Sequence, residues 1–248
     1  MTRNQREKTI RYYGATIFAV SIAAVGAIMM TVTSSPQMKG AAFLWLPAAL
    51  QLIAGVWFGP RLGFFAGGLG AYAAGIVAYG GWGLVDIIMN PIAGGIANAM
   101  LPAYLFMIFR INPDFGSNPS DIGKAIIRII ILLIAVLVLG TLPLFIEEIG
   151  KGAHIVALIL LLVAYPLFLS DLNVNKRDVL IAIFICIFIS AVSALIGTSG
   201  VVLAGQTWKA AILGTGLGWF LGDTVSSFLG LYMLAYFTNR ARKIGLCD

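Results

Sequence analysis

The sequence predicts an all-α fold: a polytopic transmembrane bundle of about eight helices that forms one membrane domain over residues 1–248. Composition is the first reason, because 60% of the residues are hydrophobic and only 10% are charged, against about 45–50% and about 25% in ordinary globular chains. A mean hydropathy of +0.98 leaves too little polar surface for a soluble domain. The spacing of the apolar runs and the placement of basic residues are the other two reasons.

Eight apolar runs are long enough, at roughly 17 to 25 residues, to cross a bilayer as helices. They cover residues 13–33, 42–58, 62–79, 84–109, 125–146, 154–170, 179–196 and 210–237. The first run exceeds the about 7–15 residues of a signal-peptide core and ends without a small-x-small cleavage site, so we expect it to remain as a span. We expect no soluble domain after the last run.

Basic residues alternate between the two sides of this predicted bundle. With the N-terminus in the cytoplasm, only Lys39, Lys151 and Lys209 of the 16 lysines and arginines fall outside the cell. Cytoplasmic loops retain positive charge, so this alternation predicts that both ends of the chain lie in the cytoplasm and that the protein resides in the cytoplasmic membrane. The net charge of +6 is scattered over these loops and does not predict a nucleic-acid partner.

Several kinds of chemistry have no sequence signature here. Cys186 and Cys247 form no CxxC or Cys/His ligand spacing, and His154 is the only histidine, so we predict no metal site and no cofactor. A Gly-rich loop ending in Gly-Lys-Ser/Thr is absent, so we do not expect the chain itself to hydrolyse ATP by that route. We therefore predict that the protein is not an enzyme.

Asp223 is the ionisable residue nearest the centre of a predicted span. A carboxylate at that depth must be protonated, paired or hydrated, and such residues usually face a cavity, a partner or a substrate. Helical spacing places four polar or aromatic residues on roughly its face: Thr215, Trp219, Ser226 and Ser227. A ligand or coupling role is favoured, and the alternative is a hydrogen bond that only joins Asp223 to a neighbouring helix.

A second polar group is predicted near the outer face of the membrane. Trp82, Asp86 and Asn90 recur every four residues, and Asn98 continues that face two turns deeper. Asn90 followed by Pro91 also resembles a helix start, so residues 82–89 form either a separate outer segment or an ordinary interfacial loop. Together with Asp223 and Trp219, these four residues are the predicted substrate-binding group.

Small residues predict where helices approach closely. Ala15, Ala19, Ala23 and Ala27 form a stripe at four-residue spacing in the first span, which fits a helix of this chain or of a partner subunit. Two glycine sets predict further close contacts: Gly63 and Gly67 in the third span, and Gly214, Gly218 and Gly222 in the last.

Four features together resemble the substrate-capturing S components of energy-coupling-factor transporters, which take up vitamins and related micronutrients. They are the alanine stripe, the motif 58–61 with the glycines that follow it, residues 98–105 (NAMLPAYL), and residues 219–223 (WFLGD) before a basic tail. The resemblance implies a non-enzymatic binding subunit that is powered by a separate coupling subunit and ATPases. It also implies that the alanine stripe contacts the coupling subunit and that an outward-opening pocket, closed by loops, is lined by the third, fourth and last spans.

Two other readings stay open. S components typically have six helices, so residues 125–170 would be additional in this chain. The motifs 45–48, 58–61 and 222–223 are also similar to eight-helix membrane sensor domains, which signal through an output partner. A minor alternative is an intramembrane aspartyl protease that uses Asp86 and Asp223. That family places its aspartate in Gly-x-Gly-Asp, and Phe220 stands in place of the first glycine.

Overall fold

The computed structural model describes residues 3–33, 44–79, 85–117 and 174–247, together with 83, 124, 126–131, 133–135, 138, 156 and 159. Within these ranges the regular structure is helical throughout, and no strand occurs. The all-helical prediction is therefore confirmed for the described part of the chain. Of the predicted spans 125–146 and 154–170, the first is described only in part, mainly over 126–135, and the second only at residues 156 and 159.

Five helical stretches of the described residues are long and apolar enough to cross a membrane, as a multi-pass membrane protein requires. We number them α1 to α5 in chain order. Their bounds are Arg3–Thr33 for α1, Pro47–Tyr79 for α2, residues 85–108 for α3, Lys176–Leu203 for α4, and residues 208–243 for α5.

Helix α2 reverses direction at Gly59, where φ is 82° and ψ is 172°. Only glycine adopts this conformation at low cost. Gln51 Nε2 lies 3.5 Å from the carbonyl oxygen of Gly67, whereas residues this far apart in a straight helix are separated by about 24 Å. The segments 47–58 and 60–79 therefore run antiparallel, and the chain turns between the two spans that the sequence predicts there.

Glycines bring the helix backbones close together on both sides of this turn. A Cβ atom on Gly63 would lie 2.5 Å from Gly55 Cα, and one on Gly67 would lie 2.5 Å from the carbonyl oxygen of Gly94 in α3. The prediction of close approach at Gly63 and Gly67 is confirmed. For Gly214 it fails within the described part of the chain, where no heavy atom lies within 4 Å of a Cβ atom at that position.

Helix α3 is interrupted by wide turns. α-Helical residues Asn90–Ile92 and Leu101–Ile108 alternate with π-helical residues Val85–Met89 and Ala93–Met100. Asn90 therefore lies inside a continuous helix and makes no capping hydrogen bond, so the helix-start interpretation is wrong. The side chain of Asn90 is instead available to the interior, where it is 5% exposed.

The helix ends that the sequence predicts to be cytoplasmic gather at one end of the described bundle. Arg11 near the start of α1 donates to the carbonyl oxygen of Phe58 at the α2 turn, at 3.4 Å. Arg242 at the end of α5 pairs with Asp114, which follows α3. The backbone N–H of Asn175, just before α4, donates to the carbonyl oxygen of Phe115 at 2.8 Å.

Candidate functional site

Four buried polar side chains from four helical segments converge in the interior. Asp223 of α5 is 2% exposed, and it is surrounded by Gln51 of α2, Asn98 of α3 and Ser193 of α4, each at most 1% exposed. Ser193 Oγ donates to Asp223 Oδ2 at 2.6 Å. Asn98 Nδ2 donates to the same oxygen at 3.1 Å. We call these four residues the polar cluster.

Gln51 connects the polar cluster to an aromatic side chain and to the α2 turn. Its Oε1 atom accepts from Asn98 Nδ2 at 3.1 Å and from Trp45 Nε1 at 3.4 Å. Its Nε2 atom donates to the carbonyl oxygen of Gly67. Burying a polar group without a partner is costly, so this chain of hydrogen bonds holds Asn98 in one orientation towards Asp223.

The polar cluster keeps hydrogen-bonding capacity that the described part of the protein does not use. Asp223 Oδ1 accepts no hydrogen bond from a described residue, and no described cation pairs with this carboxylate. Asn98 Oδ1 and Asn90 Nδ2 are also buried without partners among the described residues. Buried polar groups of native proteins are usually satisfied, so these three atoms point to water or a ligand.

The three unused atoms belong to residues that line one cavity. The space that the centre of a water molecule can reach is about 30 Å³, enough for about two waters, and about 360 Å³ is free of atoms when the mouth is included. The cavity is lined by Met30, Trp45, Asn90, Ala93, Gly94, Asn98, Ser193, Trp219 and Asp223.

Two glycines fix the walls of this cavity. A Cβ atom on Gly197 of α4 would lie 2.1 Å from the ring of Trp219, so the indole packs directly on the α4 backbone. A Cβ atom on Gly94 of α3 would lie 2.6 Å from Gln51 Nε2. Glycine at both positions lets the indole and the amide reach the places they occupy.

The structure brings four of the six predicted substrate-binding residues to one cavity: Asp223, Trp219, Asn90 and Asn98. Trp82 lies outside the described residues, and so does the side chain of Asp86, although its backbone belongs to α3. The binding role of all six stays a prediction.

Other polar residues of α5 do not join this lining. Thr215, Ser226 and Ser227 are buried, but none of them lines the cavity. The helical-spacing prediction therefore places too many residues beside Asp223, because one face of a long helix passes several neighbours along its length.

Sequence reasoning missed Trp45, Gln51 and Ser193. Gln51 had a usable signal, since it is the one amide side chain in the apolar run 42–58. Ser193 had none that separates it from other serines in membrane helices, which often bond only to their own backbone. Trp45 precedes a helix and is typical of an interfacial aromatic residue.

The alanine stripe lies at the edge of the contact between α1 and residues 60–79. Ala15 is buried, and Ala19, Ala23 and Ala27 are half-buried. Ala15 and Ala19 line a groove that Phe65 and Leu69 also border, with about 830 Å³ reachable by the centre of a water molecule. Part of the stripe thus packs within this chain, and contact with a partner subunit stays a prediction.

The described residues contain no group of three or more His, Cys, Asp or Glu side chains that could hold a metal ion. Asp223 is the only ionisable side chain among the described residues that line the cavity. Comparison with protein-family models, curated proteins and solved structures finds no match to this chain. The arrangement itself offers one carboxylate, two amides, a hydroxyl and two indoles to a small molecule.

Proposed function

We propose that this chain is the membrane-embedded binding subunit of an energy-coupling-factor uptake transporter, and that it captures a vitamin-like micronutrient. One observation carries the proposal. Three helices, α3, α4 and α5, direct a buried carboxylate, two amides and a hydroxyl towards a single cavity with two tryptophans in its wall. Intramembrane ionisable groups are costly, and they usually serve a substrate or ion pathway.

We further propose that about eight helices cross the cytoplasmic membrane, that both ends lie in the cytoplasm, and that the cavity opens outward. The clustering of Arg11, Arg242 and the α2 turn at one end of the described bundle supports this orientation. Met30 lies near the end of α1 and Trp45 lies just before α2, and both line the cavity at the end of the bundle away from Arg11 and Arg242. A cavity far from the basic end faces the outside.

The proposed partners are a coupling membrane subunit and separate ATPases. The groove beside Ala15 and Ala19 supports a docking place for the coupling subunit, because small side chains allow a foreign helix to approach closely. Binding is proposed rather than catalysis, because the described cavity lining has hydrogen-bonding and aromatic surfaces but no second ionisable group beside Asp223.

Gentle extraction tests the proposal. The tagged protein is isolated from its own membranes in mild detergent, and the bound small molecules and co-purifying proteins are identified by mass spectrometry. We expect one small molecule in near-stoichiometric amount, together with a coupling subunit and ATPases. A kinase or cyclase in their place would support the sensor reading, and recovery of neither a small molecule nor these subunits would contradict the proposal.

A further inference from the structure

We propose that the ligand carries a positively charged N–H group attached to a flat ring, with the charged group seated at Asp223. This inference rests on the proposed function and narrows the substrate to a chemical class. Its basis is the set of unpartnered atoms in the cavity and the two indoles that border them. Each of these has a separate consequence for the ligand.

The charge of the ligand follows from the missing counter-ion. Asp223 is 2% exposed, and among the described residues only the neutral groups of Ser193 and Asn98 donate to it, both at Oδ2. No arginine or lysine of the described residues forms an ion pair with it. A buried charge is stable when it is paired or hydrated, and a cationic ligand would supply the pairing that the described residues do not give Asp223.

The hydrogen-bonding pattern favours a ligand group with more than one N–H. Asn98 Oδ1 is a buried acceptor without a donor among the described residues. The hydrogen bonds from described residues to Asp223 both go to Oδ2, which leaves Oδ1 as a second acceptor. The orientation of the Asn98 amide is fixed by its network, because Nδ2 faces two acceptors, Gln51 Oε1 and Asp223 Oδ2. An amidinium or a protonated amino-heterocycle presents N–H groups in one plane and can serve two acceptors together.

The two indoles in the cavity wall are the reason for proposing a flat ring in the ligand. Trp45 and Trp219 both line the cavity, and the indole of Trp219 is held against the α4 backbone at Gly197. A tryptophan face attracts a cation and stacks with a planar ring, and the attraction is stronger where water is excluded. A planar organic cation can both stack on the two indoles and attract them by its charge, whereas a bare metal cation has no ring to stack.

The room inside the cavity limits the group that can lie beside Asp223. About 30 Å³ of the cavity is reachable by the centre of a water molecule, which admits a compact charged group. The free space of about 360 Å³ also counts the open solvent at the mouth, where the ring of the ligand would lie.

The experiment uses four organic probes and one ion on the purified full chain in detergent. Benzamidinium carries both the ring and the charge, benzamide the ring with a neutral amide, benzoate the ring with a negative charge, and acetamidinium the charge without a ring; sodium chloride tests a simple ion. We expect benzamidinium to bind most tightly, as measured by calorimetry and by thermal stabilisation. Asp223→Asn should weaken its binding about 30-fold or more.

The matched control is Asp178→Asn, which changes a carboxylate that is 5% exposed at the start of α4 and does not line the cavity. It should leave benzamidinium affinity unchanged. The proposal is overturned if benzamide or benzoate binds as tightly as benzamidinium, if sodium binds at Asp223 with equal effect, if no probe binds, or if Asp223→Asn does not change the affinity. A neutral or anionic molecule recovered from native membranes and lost in Asp223→Asn would overturn the charge class while leaving the proposed function intact.

Discussion

Asp223→Asn is expected to abolish retention of the native ligand while leaving the helices folded. Asparagine has the same shape, and its Oδ1 atom can still accept from Ser193 and Asn98, so the polar cluster keeps both hydrogen bonds to this position. The side chain loses its charge, and its second polar atom becomes a donor. We expect affinity to fall by about 30-fold or more, as for removal of one member of a buried charged pair.

The direction in which Asp223→Asn shifts the melting temperature distinguishes a ligand-binding role of Asp223 from a packing role. Relief of an unpaired buried charge should leave the melting temperature of Asp223→Asn equal to or above that of the wild type, as is common when a functional site is neutralised. If Asp223 only joins helices, its replacement should lower the melting temperature and leave ligand retention per folded molecule unchanged. Thermal scans and quantitative mass spectrometry on the same preparations measure both quantities, with Asp178→Asn as the control.

Gly55→Ala is expected to destabilise the bundle by about 2 kcal/mol or more. A Cβ atom at residue 55 would lie 1.9 Å from the carbonyl oxygen of Ala99 and 2.7 Å from its carbonyl carbon. These are backbone atoms of α3, and they cannot rotate away as a side chain can. The two helices must separate, which also moves the neighbouring Asn98 away from Asp223.

Gly214→Ala is the matched control for this substitution. It also adds one methyl group to a glycine of a predicted membrane helix, but no described atom lies within 4 Å of the new Cβ. We expect its stability to stay within about 0.5 kcal/mol of the wild type. The melting temperatures of the wild type, Gly55→Ala and Gly214→Ala measure the difference in stability. Size-exclusion profiles after heating provide a second measurement. Equal melting temperatures for both variants would show that α2 and α3 do not pack as described.

The sequence could predict the helical class and the presence of several membrane-spanning helices for physical reasons. Apolar length and flanking charge are properties of single segments, and they locate spans without knowledge of packing. The turn at residues 58–61 was visible as a break between two apolar runs, and Gly59 makes it possible. The predicted count of about eight helices depends partly on residues 125–170, most of which the structure does not describe.

The cavity lining was predictable only in part, where a residue type is unusual in a membrane or polar residues recur at helical spacing. Asp223 stood out because a carboxylate is costly there, and Asn90 and Asn98 followed from their spacing. Ser193 could not be found, because its role depends on α4 lying beside α5, and one sequence does not determine which helices are neighbours. The failed prediction for Gly214 has the same cause: the sequence identifies small residues but not the backbones that face them.

The most direct measurement of the central claim, an outward-facing cavity around Asp223, is chemical labelling of a cysteine placed in its wall. Cys186 and Cys247 are first replaced by alanine, and then either Asn90→Cys or the control Arg177→Cys is introduced. Asn90 lines the cavity. Arg177 is exposed at the start of α4, at the basic end of the bundle. A small, membrane-impermeant cationic thiosulfonate is then added to intact cells. We predict that Asn90→Cys reacts from outside and that Arg177→Cys reacts only after the membrane is opened. Reaction of Asn90→Cys only after permeabilisation would contradict the account.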